Sequence, residues 1–234
     1  TLPIRWDLEL ASQQRDLRVV AKIPESTNVT SFSLEPTSLS RTSSAEKEPL
    51  WDFVPGQHLP IRLVTAAGEL PRTYSLSAAP AAQANRYRIS VKREAQGKAS
   101  RFLHDQVQVG DVIQARKPAG DFVLLETDRN DKNIASHPRT VVLLSTGVGV
   151  TPLLSMLHHL VALYGDTKAQ AGSVKQSASN HDPQIVWIHG ARDGAHHAFR
   201  DEVNDLIMTS LRCPALLQKH IIYSRPTAQD TGLY

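Results

Sequence analysis

The stretch RTVVLLSTGVGVTP, residues 139–152, decides the fold of the second half of the chain. Apolar residues occupy consecutive positions within 139–145, which is typical of a strand buried on both faces in a parallel sheet covered by helices. The glycine-rich residues 147–152 follow directly and lead into an apolar helical segment. Glycine permits a tight turn and the close approach of a pyrophosphate, Thr151 can cap the helix, and Pro152 suits its first turn. The stretch therefore predicts a strand, an anion-binding loop and a helix.

Residues 136–234 are expected to form a parallel α/β domain around this stretch. The elements expected after the loop are a helix over 152–164, a buried strand over 185–188, a helix near 196–211 and a third strand near 220–223. Such a series has right-handed crossovers and binds ligands at the carboxyl ends of its strands. Because the loop departs from Gly-x-Gly-x-x-Gly at its last position, a purely structural turn is the alternative to a nucleotide site.

Residues 1–135 are expected to form an antiparallel β-barrel domain. Apolar and polar residues mostly alternate along this half, and proline, glycine and asparagine separate the segments, which is typical of half-buried antiparallel strands. The segments that fit this pattern are 17–23, 29–35, 58–64, 70–77, 86–92 and 111–116. Closure into a small barrel removes the open edges that a meander leaves. One helix is predicted over 100–107, with Ser100 as its N-cap.

Composition excludes several classes of protein. The 234 residues are 41% hydrophobic and 21% charged, and no run approaches the roughly 18 apolar residues of a membrane helix, so we expect no membrane span. The net charge is only +3 without a concentrated basic patch, so we expect no nucleic-acid partner. The single cysteine, Cys213, excludes a disulfide framework and an internal thiolate cage, and favours a reducing, cytoplasmic compartment.

Histidine pairs at 158–159 and 196–197, with His189 nearby, raise the possibility of a metal site. Adjacent residues on a helix diverge by about 100°, so neither pair chelates an ion well on its own. No carboxylate or cysteine completes a ligand set in the sequence around them. We therefore expect no bound metal.

Residues 72–75, with the sequence Arg-Thr-Tyr-Ser, are the first candidate ligand site in the barrel. On a strand Arg72 and Tyr74 share one face, so the segment offers a cation, a flat ring and a hydroxyl group close together. A guanidinium pairs with phosphate in a bidentate geometry, and a phenol ring stacks on a planar heterocycle. The segment suits a phosphate-bearing aromatic ligand, and a surface arginine beside a half-buried tyrosine is the alternative.

Residues 97–100, with the sequence Gly-Lys-Ala-Ser, are the second candidate and open the predicted helix. Free N–H groups and the positive end of the helix dipole make a helix N-terminus an anion site. Gly97 allows a phosphate to approach the backbone closely. An ordinary capped helix is the alternative.

Together these motifs resemble the ferredoxin-NADP reductase superfamily, and most closely its flavohemoglobin-type reductase module. The family's flavin motif Arg-x-Tyr-Ser is matched at 72–75, and its Tyr-Arg-Ile-x-Val-Lys-Arg-Glu strand at 87–94. Further similar segments, in the same order along the chain, are 97–104, 109–111, 118–122, 147–152 and 189–192. The resemblance implies a flavin-binding barrel followed by an NAD(P)-binding α/β domain.

The resemblance also implies roles for residues 72–75. Arg72 would hold a flavin phosphate, with Thr73 beside it in the cofactor-binding motif. Tyr74 would stack on the isoalloxazine ring and Ser75 would hydrogen-bond near its reactive N5, so these two are the predicted catalytic residues. FAD is favoured over FMN because the nearest resemblance is to FAD modules.

Other cofactor contacts follow from the same resemblance. Ser100, with the neighbouring amides of Gly97 and Ala99, would hold the pyrophosphate, and Val91 and Lys92 would line the flavin path. The residues that would cradle the phosphates of NADH or NADPH are Gly147, Val148, Gly149, Val150, Thr151 and Pro152.

Two further positions carry less specific expectations. His58 stands where flavohemoglobins usually have tyrosine, so its predicted flavin contact departs from the family pattern. Arg192 follows the second predicted strand and is placed to meet a 2′-phosphate, which would favour NADPH. An exposed loop arginine is the equal alternative.

The implied function is an oxidoreductase that takes hydride from NADH or NADPH onto FAD and passes electrons to a haem or iron–sulfur centre in a fused or separate domain. In this family the second domain continues to a Cys-Gly-Pro segment that is not found before Tyr234. By the family's strand order, 141–145 would then be an exposed edge strand, so we expect a C-terminally incomplete domain in a fragment of a longer protein. Two alternatives are a non-catalytic flavin-binding or electron-transfer fragment with an incomplete pyridine-nucleotide site, and a barrel that binds polyanions.

Overall fold

The computed structural model describes residues 14–37, 50–80, 86–124, 140–164, 184–209 and 217–232. Its first half contains the strands β1 (Gln14–Pro24), β2 (Val29–Pro36), β3 (His58–Thr65), β4 (Gly68–Ser75), β5 (Tyr87–Lys92) and β6 (Val112–Arg116), with helix α1 (Lys98–Asp105) between the last two. The second half contains β7 (Thr140–Thr146), α2 (Val150–Tyr164), β8 (Gln184–Ala191), α3 (Arg200–Thr209) and β9 (Leu217–Tyr223). The domain boundary predicted at residues 135 and 136 falls outside the described residues.

The first six strands form one antiparallel sheet in the order β4-β3-β6-β1-β2-β5. Its two edges approach each other, since an isolated bridge joins Leu76 to Ile89 and the Ser77 amide donates to the Arg88 carbonyl at 2.9 Å. The curled sheet encloses a core built by alternate residues of its strands, including Leu17, Val19, Phe32, Leu34, Leu59, Ile61 and Tyr87. The predicted antiparallel barrel is confirmed, as a half-barrel whose edges meet at this bridge.

Helix α1 begins earlier than the sequence analysis predicted. Its N-cap is Gly97, in an extended conformation, and the helix runs to Asp105 rather than over 100–107. Ser100 is therefore not the N-cap but lies in the first turn, and it is buried with Ala99 and Leu103. Packing explains the earlier start. Ala99 and Leu103 are four residues apart, so a helix that already includes Ala99 places both on the face that packs against the barrel core.

The second half forms a parallel sheet in the order β7-β8-β9. Val142 pairs with Val186 and Ile188 pairs with His220 in the two ladders. Helices α2 and α3 cover one face of this sheet through a core that includes Leu143, Leu154, Leu157, Trp187 and Val203. The predicted βαβαβ series is confirmed, and the helix expected near 196–211 is divided into a short 3₁₀ turn at Gly194–His196 and α3.

The strand predicted to be buried on both faces is half exposed. In β7, Leu143 and Ser145 are buried, whereas Val142 is 55% and Leu144 is 65% exposed. β7 lies at the edge of the sheet among the described residues, as expected. The consecutive apolar residues identified a parallel strand correctly, but burial also requires a covering layer, and the described helices provide one on a single face only.

None of the helices in the described parts of the chain is long and apolar enough to cross a bilayer. The described residues also contain no group of three or more histidine, cysteine, aspartate or glutamate side chains that could hold a metal ion.

Two buried histidines lie side by side at the end of β8. The Ser145 hydroxyl is 2.8 Å from His189 Nδ1, the Tyr223 hydroxyl is 2.9 Å from His197 Nδ1, and the two imidazole rings are 5.1 Å apart. Burial lowers the pKa of His189 to about 4. Burial, together with the charge that His189 would carry, lowers the pKa of His197 to about 4 as well. Both rings are therefore neutral in the folded protein near pH 7.

These two histidines should make the fold sensitive to acid. In the unfolded chain these histidines have a pKa of about 6.5. As the pH falls below that value, they become protonated in the unfolded chain but stay neutral in the folded protein, which favours unfolding. The free energy of unfolding should decrease by up to about 1.4 kcal/mol per pH unit for each histidine between pH 6.5 and 5. Urea denaturation across this range should show a shallower pH dependence in the His189→Gln/His197→Gln variant. Tyr223→Phe should keep the native slope, and an unchanged slope in the double variant would contradict the assignment.

Candidate functional site

A cleft of about 480 Å³ lies where the half-barrel meets the α/β domain. From the half-barrel it is lined by β4 residues, the end of β5 and the start of α1, and from the second domain by the residues that join β7 to α2. The predicted site residues that line it are Arg72, Thr73, Tyr74, Ser75, Lys92, Gly97, Ala99, Ser100, Val148, Gly149, Thr151 and Pro152. Two motifs more than 70 residues apart in sequence, around Tyr74 and Gly149, thus share one cavity.

The end of β4 supplies a cation and an aromatic ring. Tyr74 pairs with Leu59 of β3 in the sheet, and its ring packs partly against the half-barrel core. Burial raises the pKa of Tyr74, against a smaller opposing effect of the Arg72 charge, so the phenol is neutral at physiological pH. The Arg72 guanidinium donates to the Pro71 carbonyl at 2.6 Å and has no carboxylate partner among the described residues, which leaves its charge available to an anion.

The start of α1 forms a second wall rich in hydrogen-bond donors. The first bond within this helix runs from the Arg101 amide to the Gly97 carbonyl, so the amides before it have no acceptor inside the helix. The Ser100 hydroxyl donates to the Gly97 carbonyl and accepts from the Glu94 amide, both at 3.2 Å. A Cβ at Gly97 would lie 2.3 Å from Ser100 Oγ and 2.9 Å from Glu94 Cβ, so any side chain at this position would force the turn to rearrange.

The loop between β7 and α2 forms the opposite wall. Gly147–Gly149 adopt a 3₁₀ turn, with Gly147 at φ 51°, and the Thr151 hydroxyl donates to the Val148 carbonyl at 3.1 Å. A Cβ at Gly149 would meet no heavy atom within 4 Å. Packing therefore does not require glycine at position 149. Because Gly149 has no side chain, the space in front of the N-terminus of α2 stays open.

Five predicted site residues do not line this cleft. Val91 and Val150 are buried, Gly147 is exposed at the start of its turn, and His58 packs against Gly120, where a Cβ would be 2.7 Å from its Nδ1. The Arg192 side chain is 60% exposed beyond β8 and lies 3.8 Å from the Asp193 carboxylate. Their roles remain predictions from the family resemblance.

Ser90 and Glu94 line the cleft but were not predicted, and Lys98, which also lines it, lay within the candidate segment 97–100 without a role of its own. Ser90 was identifiable, because residues two apart on a strand share a face, so choosing Lys92 implied Ser90 rather than Val91. Glu94 lies 2.9 Å from Lys92 Nζ through its Oε1. This ion pair lies beside the donor-rich wall, and no pattern in the sequence distinguishes it from an exposed surface pair.

Comparison with known proteins agrees with this two-part site. Residues 16–124 match the family of oxidoreductase FAD-binding domains, and residues 143–232 match the family of oxidoreductase NAD-binding domains. The flavohem-like FAD/NAD-binding domain of nitric oxide dioxygenase from Vibrio cholerae is 30% identical, with a TM-score of 0.70, over 92% of this chain and 76% of that chain. The chain belongs to the ferredoxin-NADP reductase superfamily. Within it, the chain is a flavohemoglobin-type reductase module.

Two further similarities extend the comparison of this reductase module. The flavohemoprotein of Pseudomonas aeruginosa is 38% identical over 218 residues, which are 93% of this chain and 45% of that protein. Phthalate dioxygenase reductase, described as a modular structure for electron transfer from pyridine nucleotides to [2Fe-2S], is 25% identical with a TM-score of 0.63, over 93% of this chain and 54% of that chain. The module spans less than half the length of the curated flavohemoproteins it matches.

The residues of the cleft fit the cofactors of this family, FAD and NADH or NADPH. Two helix N-termini face the same cavity, one after Gly97 and one after Gly149, and each favours a phosphate group. Arg72 adds a full positive charge, while the neutral Tyr74 ring offers a flat apolar surface to an aromatic heterocycle. These two helix ends are therefore the candidate positions for the phosphates of two nucleotides.

Replacing Gly97 should weaken FAD binding selectively. In Gly97→Ala the added Cβ collides with Ser100 Oγ and Glu94 Cβ, so the Ser100 side chain or the first turn of α1 must move, which disturbs the proposed phosphate contacts. We expect the Kd for FAD to rise about tenfold, equivalent to about 1.4 kcal/mol, in a flavin-fluorescence titration of the apoprotein. The matched control is Gly149→Ala, which lies in the other domain and should keep the native Kd for FAD. Native affinity in Gly97→Ala would show that this turn does not hold the cofactor.

Proposed function

We propose that the chain oxidises NADH or NADPH and delivers the electrons through FAD to a separate redox centre. The observation that carries this proposal is the shared cleft, in which Tyr74 of the half-barrel and Gly149 of the α/β domain line the same cavity. A single nucleotide site would need only one of these walls. Two phosphate-binding helix ends on opposite walls support two nucleotides whose reactive rings meet between them.

On the half-barrel side, Arg72 and the first turn of α1 would hold the phosphates of FAD, because both present positive charge or free amides to the cleft. Tyr74 would lie against the flavin ring, and its raised pKa keeps it neutral and able to pack there. Ser75, next along the chain, would place a hydroxyl that can donate or accept a hydrogen bond at the ring edge. These are positioning roles and require no proton to leave the tyrosine.

On the α/β side, the loop from Gly147 to the start of α2 would hold the phosphates of NADH or NADPH. The loop follows the carboxyl end of β7, where parallel α/β sheets bind their ligands. Thr151 stiffens it, since its hydroxyl is bonded back to the Val148 carbonyl. This loop would present the nicotinamide to the half-barrel while both walls exclude water from the reacting faces.

Bound FAD supplies the redox chemistry itself, because it accepts two electrons as hydride and can release them singly. The protein contributes the orientation of the two rings and a positive environment that favours the reduced, more negative cofactor. Arg72 lines the cleft and provides that charge, whereas the charge of Lys92 is offset by the Glu94 carboxylate 2.9 Å away.

The acceptor is a haem or an iron–sulfur centre in a fused or separate domain. This part of the proposal is supported by the flavohemoproteins among the relatives and by phthalate dioxygenase reductase, whose description names a [2Fe-2S] acceptor. A cytoplasmic location remains our prediction from the single cysteine.

Anaerobic bleaching tests the proposed reaction directly. The purified protein loaded with FAD should lose its visible flavin absorbance when NADH or NADPH is added, and stopped-flow rates for the two nucleotides should show which one it uses. In Gly149→Val a side chain would enter the open space before α2, so we expect KM for the nucleotide to rise about tenfold with FAD affinity unchanged. A flavin that binds but is not bleached by either nucleotide would support the non-catalytic alternative. A protein that binds no flavin would support the polyanion-binding barrel.

A further inference from the structure

A part-buried ion-pair cluster joins the two domains away from the cleft. Arg88 of β5 contacts Glu202 of α3 in a bidentate geometry, from Nη1 to Oε2 at 2.9 Å and from Nη2 to Oε1 at 2.8 Å. His158 of α2 donates from Nε2 to the same Oε1 at 2.5 Å. All three side chains are less than a quarter exposed. We name Arg88, Glu202 and His158 the interdomain cluster.

Glu202 is the centre of the cluster and is ionised at neutral pH. Burial alone would raise its pKa, but hydrogen bonds from His158 and Arg88, and their charges, lower the pKa of Glu202 to about 2. Arginine remains protonated at any physiological pH. The pair therefore combines full charges, a fork geometry and partial desolvation, which make it stronger and more directional than an exposed ion pair.

Further contacts fix the Arg88 side chain. Its guanidinium carbon lies 5.4 Å from the centre of the Phe199 ring, just before α3 begins. On the half-barrel side its Nε donates to the Ser77 hydroxyl at 3.1 Å and its Nη2 donates to the Ser77 carbonyl. The Ser77 hydroxyl is 2.7 Å from that of Ser90, and Ser90 lines the cleft. An unbroken set of contacts thus runs from α3 to the flavin side of the cleft.

The same cluster is connected to the nucleotide side of the cleft through α2. This helix begins at Val150, directly after the loop at 147–149, and carries His158 about two turns later. A second contact between the domains lies nearby, where the Thr27 amide and hydroxyl both donate to the Ala195 carbonyl, at 3.0 and 2.8 Å. Holding α2 and α3 against β5 therefore also fixes the loop at 147–149 relative to Tyr74.

We propose that Arg88, Glu202 and His158 are positioning residues that set the orientation of the loop at 147–149 relative to the flavin side of the cleft. This inference rests on the proposed function, because only a reaction between two bound rings requires that orientation. Reacting atoms must approach within about 3–3.5 Å, and a misplacement of about 1 Å can cost roughly 100-fold in rate. A cluster that touches neither nucleotide can therefore control the rate while leaving the affinity of each site intact.

The test compares Glu202→Gln and His158→Gln with the native protein through two measurements. In the first, stopped-flow reduction of the bound flavin at saturating nucleotide should slow by about 10- to 100-fold in Glu202→Gln, while the Kd for FAD changes by less than about twofold because Glu202 does not line the cleft. Glu202→Asp, which keeps the charge, should recover part of the rate. The matched control is Arg93→Gln, which removes an exposed ion pair with Asp105. Both residues belong to the half-barrel domain, so this variant should keep the native reduction rate and the native Kd for FAD.

The second measurement needs no cofactor. Spin labels at Val64→Cys on β3 and Met208→Cys on α3, both at exposed positions, in a Cys213→Ser background report the distance between the domains in the apoprotein. The distance distribution should be narrow in the native background and broader in Glu202→Gln and His158→Gln. Thermal denaturation identifies any variant that fails to fold, and His158→Gln, which removes only one contact to Oε1, is the milder of the two.

The outcomes separate this inference from the proposed function. A narrow distance distribution with an undiminished reduction rate in both folded variants would overturn the positioning role. Absence of flavin reduction in the native protein would instead overturn the proposed function, and the distance measurement would still decide whether the cluster orients the domains. Slower reduction together with a broader distribution supports the inference.

Discussion

The structure depends on two helix N-termini that face one cleft from opposite domains. The N-termini of α1 and α2 both line this cleft, where Arg72 adds a full positive charge and Lys92 is paired with the Glu94 carboxylate. The partial positive charges of the two helix ends and the Arg72 guanidinium repel one another, so anions bound in the cleft would stabilise this arrangement. In the proposed function, the phosphates of FAD and of a nicotinamide nucleotide would supply that negative charge.

Much of this arrangement could be predicted from the sequence, because the deciding signals are local. Alternation of apolar residues identified the antiparallel strands, and consecutive apolar residues before Gly147 identified a parallel strand. The glycines after that strand identified a tight turn into a helix. The residues at 72–75, 97–100, 148–149 and 151–152 line one cleft. Each of these motifs directly precedes or follows a segment whose apolar pattern predicts a strand or a helix. Its place at the end of that element could therefore be predicted from the sequence.

What could not be predicted depends on contacts between distant residues. The exposure of Val142 and Leu144 depends on which elements cover the sheet, and no local pattern contains that information. Ser100 resembles an N-cap in sequence, yet packing of Ala99 and Leu103 against the barrel moves the helix start to Gly97. Arg88, Glu202 and His158 lie on three separate elements, so their association appears only when the two domains are placed together.

The interdomain cluster also counteracts the electrostatic repulsion between the two helix ends in the cleft. Before the nucleotides bind, the repulsion between the two helix ends would favour separation of the domains. The Arg88–Glu202 pair lies between the same two domains and is attractive whether or not the cleft is filled, and its shielding from water keeps it less sensitive to salt than an exposed pair. Attraction at this contact offsets repulsion at the other, so the cleft can remain assembled while each nucleotide enters and leaves.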